Sequence, residues 1–159
     1  MSAIKIFGLK ICFSTFLLLI FFSCDKKTDE TPVLIPEKNR IAFISISYIG
    51  GGNYKIIKIT KNSLHAEQGT TATKVHHEKN LSISSTEWKQ LITPIDPKTL
   101  DKIKSSPSTQ SVDKPDETII IKTPKKSYIY VNSYIDTLHY KQFQEFKDQL
   151  KRILPKEYQ

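Results

Sequence analysis

ISYIGGGNYKIIKIT, Ile46 to Thr60, decides the fold. Two runs rich in isoleucine and tyrosine flank Gly50-Gly51-Gly52-Asn53. Branched and aromatic side chains suit a pleated, half-buried surface, and a glycine cluster between two such runs reads as the turn of an antiparallel hairpin. The first run starts earlier, at Ile41, and is apolar on both faces there, which predicts a central strand beneath a helix.

Working outward, Leu64 to Gln68 reads as a short third strand, and Gly69 as a turn before a fourth over Thr70 to Glu78. The pattern changes at Ser84. Ser84 and Glu87 have the spacing of a capping box, and Trp88, Leu91, Ile92 and Ile95 give one apolar face. Asp96-Pro97 has the form of an N-cap and first helical position, predicting a second short helix with Leu100 and Ile103. SSPSTQSVDK, Ser105 to Lys114, reads as loop. Glu117 to Thr123 and Ser127 to Asn132 read as a strand pair around Pro124-Lys125-Lys126. Phe143, Phe146, Leu150 and Ile153 predict a helix over Gln142 to Leu154, with Lys147 and Lys151 on a wet face. The expected fold is a small α+β domain over residues 40–159, one antiparallel sheet packed by two short helices and a C-terminal helix.

The N-terminus is of another kind. Lys5 and Lys10 precede ICFSTFLLLIFF, Ile11 to Phe22. A spanning helix needs roughly 20 apolar residues, so this run is short for one, while a basic start and a short greasy core form a signal-peptide pattern. Phe21-Phe22-Ser23-Cys24 then resembles a bacterial lipobox. That resemblance implies a signal peptide over 1–23, diacylglycerol on the Cys24 thiol, and an acyl chain such as palmitate on the new amino group. DKKTDETPVLIPEKN, Asp25 to Asn39, reads as a tether, so residues 24–39 form a lipidated linker. Cys12 falls in the removed segment and Cys24 carries lipid, leaving no cysteine for a disulfide or a nucleophile. Charge falls from 24 basic against 16 acidic side chains to 22 against 16, or +6, favouring anionic surfaces in the envelope over nucleic acid.

Three stretches carry a wider resemblance: ISYIGGGNYKIIKIT, STEWKQLITPID at 85–96, and SPSTQSVDKPDETIIIKT at 106–123. Together they are similar to small lipoproteins of Bacteroidetes-type bacteria. The resemblance implies an outer-membrane location and supplies no active site.

Motifs for chemistry are sparse. The sequence contains no GxxxxGK[ST], Rossmann fingerprint, HExxH or GxSxG, so no cofactor, metal or catalytic residue is expected. His65 and His76 could meet across a sheet, but nothing supplies further ligands. The candidate partner-binding residues are Tyr48, Tyr54, Tyr128, Tyr130, Lys125 and Lys126. Tyr128 and Tyr130 share one strand face and Ile129 and Val131 the other. If the isoleucine face is inward, the tyrosines form an aromatic surface with a basic rim; otherwise they cover the sheet under its helices. The expected function is a lipid-anchored envelope binding protein, an accessory subunit of an outer-membrane assembly, transport or nutrient-capture complex. The alternatives are a small protease or toxin inhibitor, acting through a loop such as 50–53 or 105–114, and an envelope hydrolase. Oligomeric state is open.

Overall fold

The computed structural model of the chain describes residues 40–108 and 114–159. The expected signal peptide, Cys24 and the tether lie outside the described residues, as does the loop centre at 109–113.

The fold is a small α+β domain built on one six-stranded antiparallel sheet. Strands β1 (Phe43–Gly50), β2 (Asn53–Thr60), β3 (Ser63–Thr70) and β4 (Val75–Ser82) form a meander. Helix α1 (Ser85–Ile92) and a 3-10 turn (Leu100–Lys102) then lead to β5 (Asp116–Lys122) and β6 (Ser127–Val131). The spatial order is β4-β3-β2-β1-β5-β6, so β5 adds to the far side of β1 and the first strand becomes central. A 3-10 turn (Ser133–Ile135), helix α2 (Lys141–Ile153) and a last 3-10 turn (Lys156–Tyr158) complete the chain.

Register explains which face is buried. Ile46 lies between Ile57 and Ile119, and Ile44 between Ile59 and Ile121. Ala66 and Leu64 continue these two rows onto β3, and Tyr130 and Tyr128 continue them onto β6. Phe143, Phe146 and Leu150 of α2, with Trp88 and Leu91 of α1, bury their side chains in the same core. Each such side chain gains roughly 1.5–3 kcal/mol on full burial, so two rows of isoleucines under an amphipathic helix account for much of the core's cohesion.

Several local expectations change. The β1–β2 connection is a tight two-residue turn: Gly50 pairs with Asn53, and Gly51 and Gly52 have φ of 57° and 74°. Two successive positive φ values give the type I′ pattern, whose twist matches the strands it joins. Gly69 is not a turn residue but lies inside β3; the turn follows it, between Thr70 and Val75. A Cβ on Gly69 would stand 2.3 Å from the Val75 carbonyl oxygen and 2.7 Å from the Tyr54 hydroxyl, so the glycine serves close approach. The second short helix is a single 3-10 turn, because Asp96 closes a local turn instead, its Oδ1 accepting from the Lys98 amide at 2.9 Å. The capping box on α1 forms in both directions: the Ser84 amide donates to Glu87 at 2.7 Å and the Glu87 amide to Ser84 Oγ at 3.2 Å. Among the described residues, helices cover one face of central strand β1.

Candidate functional site

The face of the sheet opposite the helices is built from the alternate residues of the same strands. Along β1 these are Phe43, Ser45, Ser47 and Ile49. Ser45 lies between Lys58 and Ile120, and Ser47 between Ile56 and Thr118. Ile129 extends the first of these rows and Val131 the second onto edge strand β6. Small serines in the central strand, with branched side chains on the strands beside it, make a shallow apolar trough. Ile129 is 62% exposed and Ile49 54%, while Phe43, Ile56, Ile120 and Val131 are half-buried. Lys122 closes one end, its Nζ 5.2 Å from the centroid of the Phe43 ring. On the β3 side the same face turns polar: Lys58 pairs with Glu67 at 3.2 Å, and His65 Nδ1 lies 2.8 Å from Asn80 Oδ1.

Part of the β6 edge is already occupied. The Val131 amide donates to Ser105 Oγ at 3.1 Å and its carbonyl accepts from the Ser106 amide at 2.9 Å. The strand's remaining outward groups recur every second residue, placing those of Ile129 and Ser127 on the same edge. An apolar trough running out to a sheet edge is a docking geometry used by extended partner segments.

On the helix side, one end of the core is polar. Glu117 stands directly across from Tyr48 in the β1–β5 ladder. Its buried carboxylate accepts from Lys147 Nζ at 2.6 Å and from the Tyr140 hydroxyl at 2.9 Å. Lys147 Nζ also bonds the Tyr140 hydroxyl. Burial first, and then the adjacent Glu117 charge, push the phenols of Tyr48 and Tyr140 far above the usual tyrosine range. Both therefore stay neutral donors. Asn132, at φ 46°, fixes the strand that carries Glu117: its Oδ1 accepts from the Glu117 amide at 2.9 Å and its Nδ2 donates to Asp116 at 2.7 Å. Nearby, Asp136 accepts from the amides of Lys104, Leu138 and His139, at 2.9, 3.0 and 3.0 Å. The Lys104 amide above all holds its carboxyl down at about 2.

The six residues expected to form one partner surface do not come together. Tyr130 is buried; its hydroxyl donates to the Leu100 carbonyl at 2.8 Å and its ring lies 5.2 Å from that of Phe143. Tyr128 stacks on Tyr130 on the same inner face, with Lys126 Nζ 4.8 Å from its centroid. It is Ile129 that faces outward, so the condition for an exposed tyrosine surface on β6 fails. The reason is steric and chemical: the space beneath α2 admits a ring beside Phe143 and offers the hydroxyl a carbonyl. Tyr48 is inner and half-buried. Tyr54 lies on the outer face over Gly69, its hydroxyl 2.6 Å from His76 Nδ1. Lys125 and Lys126 sit in the β5–β6 turn, where Lys126 pairs with Asp101. His65 and His76 do not meet, being opposite Asn80 and Gly69 respectively.

Sequence reasoning missed Glu117, Tyr140 and Lys147 as a group, and Lys147 is half-buried rather than on a wet face. The signal was present in the spacing: Tyr140, Phe143, Lys147 and Leu150 recur at three and four residues and share one stripe of α2. Among the described residues, no three His, Cys, Asp or Glu side chains gather as a metal site, and no helix is long and apolar enough to cross a membrane. The Glu117 cluster holds a saturated carboxylate beside neutral phenols and a paired ammonium, an arrangement that fixes structure and has no free base poised on a nucleophile. No protein-family model matches the chain, and no curated protein matches it significantly.

Proposed function

We propose that the chain is a lipid-anchored binding protein of the bacterial cell envelope, held at the outer membrane through Cys24, that serves as an accessory subunit by docking a partner protein on the open face of its sheet. The observation that carries the binding role is the apolar trough around Ile49, Ile56, Ile120 and Ile129, with two of its isoleucines more than half exposed. Exposed apolar side chains gathered on one face and rimmed by polar groups mark interaction sites. The anchor is supported by the order of basic start, short greasy core and Ser23-Cys24 in the sequence. Two or more acyl chains give stable attachment where one gives only marginal binding. A domain confined to the membrane surface meets a membrane-bound partner at raised effective concentration. Lys122 at the trough's end favours a partner that sets an acidic group beside an apolar strip. The two-residue Gly51-Gly52 turn projects little beyond its strands, which weighs against entry of loop 50–53 into a protease cleft.

The test is photocrosslinking in native membranes from single positions. A probe at Ile129 or Ile49 should give one discrete protein adduct, and a probe at the exposed Lys141 on α2 should not. Ile129→Asp should abolish the adduct from position 49 while leaving the circular dichroism unchanged. Equal adducts from both faces, or none from the trough, would overturn the docking face.

A further inference from the structure

A cleft of about 210 Å³ opens on the other layer, between α2 and strands β1 and β2. Its floor is apolar, from Ile46, Ile57, Leu150 and Leu154. Its mouth is cationic, with Lys55 and Lys151 converging on it from β2 and α2. Lys147 also lines the cleft but is committed to Glu117 at 2.6 Å. Asp148 is present too, 3.9 Å from Lys151 on the exposed surface of the helix. Lys55 differs from all of these. It is half-buried, its Nζ lies 6.0 Å from the Tyr48 ring centroid, and no described carboxylate pairs with it. A partly desolvated ammonium facing another ammonium is unfavourable until an anion sits between them.

We infer that this cleft binds a small organic anion, its carboxylate between Lys55 and Lys151 and its short apolar body on the isoleucine and leucine floor. The volume sets the size. At ~30 Å³ per water, the cleft has room for about seven waters, hence an acid of roughly six to eight non-hydrogen atoms. Lysines, as compact point charges, suit a single carboxylate without requiring bidentate geometry. Burial first, and then Lys151, lower the Lys55 ammonium's pKa from its ordinary value, and a bound anion reverses that direction.

Hexanoate is the probe, titrated into the full chain in a neutral detergent and followed by lysine side-chain and backbone NMR. Hexanol and inorganic phosphate are the controls, because they present the body and the charge separately. Hexanoate should shift signals of Lys55 and of residues 147–151, raise the Lys55 pKa, and bind about tenfold more weakly to Lys55→Gln, the loss expected for one hydrogen bond to a charged group. Lys89→Gln on α1, which does not line this cleft, should bind as the parent does. Equal shifts with hexanol would overturn the anion assignment, and equal shifts with phosphate would overturn the apolar floor's role. Binding that is unchanged in Lys55→Gln, or no binding at all, would overturn the site.

Discussion

Glu117 shows what a single residue contributes and why its role was hard to read. In the sequence it is one acid among 16, next to Asp116 and following Pro115. In the fold its carboxylate is buried and takes hydrogen bonds from Lys147 and Tyr140, on α2 and at its N-cap, with Tyr48 of β1 directly across the ladder. Removing one member of a fully buried ion pair costs roughly 3–5 kcal/mol because the remaining charge is left without a partner. Lys147 keeps some access to solvent, so Glu117→Gln and Lys147→Met should each cost about 2–3 kcal/mol in urea unfolding. The double variant should cost clearly less than the two singles together, since neither charge remains. Strict additivity would show that the pair is not coupled. The tyrosines taught the converse lesson. That Tyr128 and Tyr130 share a face was legible from alternation alone. Which face is inward depends on what α2 presents, and Phe143 and the Leu100 carbonyl decided it for Tyr130.

The elements were the most legible level. The hairpin about Gly51-Gly52, the capped helix after Ser84 and the Phe143–Phe146–Leu150 stripe were all visible, because each is set by local spacing. Strand β3 was the exception. Gly69 looks like punctuation, yet it is paired with Tyr54 on one side and His76 on the other. Its missing side chain lets the Tyr54 ring cross the strand to reach His76, a contact between non-neighbouring strands that no local window contains. Gly69→Ala should therefore act as overpacking of the β2–β3–β4 region. We expect a loss of about 1–3 kcal/mol in urea unfolding, with faster amide exchange in β4 than elsewhere. Unchanged stability would mean that the ring and the Val75 carbonyl yield easily. At Leu100–Lys102 the structure has a single 3-10 turn where the sequence predicts a helix, because Asp96-Pro97 begins a local turn as readily as a helix.

At the scale of the whole molecule, the two layers divide the work. The helix layer seals two rows of isoleucines and carries the Glu117 cluster, and among the described residues no helix covers the other face of the sheet, where Ile49 and Ile129 are exposed. An antiparallel sheet with one wet face is ordinary; here the wet face carries isoleucines where solvated strands place polar side chains. The proposed anchor would set that surface beside neighbours in the membrane. The candidate trough was not legible beforehand, because the sequence does not say which of two alternating sets the helices cover. The proposed anchor rests instead on the order of residues 5–24 in the sequence alone. The most direct measurement is therefore the intact mass of the protein extracted from native membranes, beside a Cys24→Ala control. The account predicts residues 24–159 plus the mass of a diacylglyceryl group and an amide-linked acyl chain, with processing lost in the control. A full-length, unlipidated chain would contradict it.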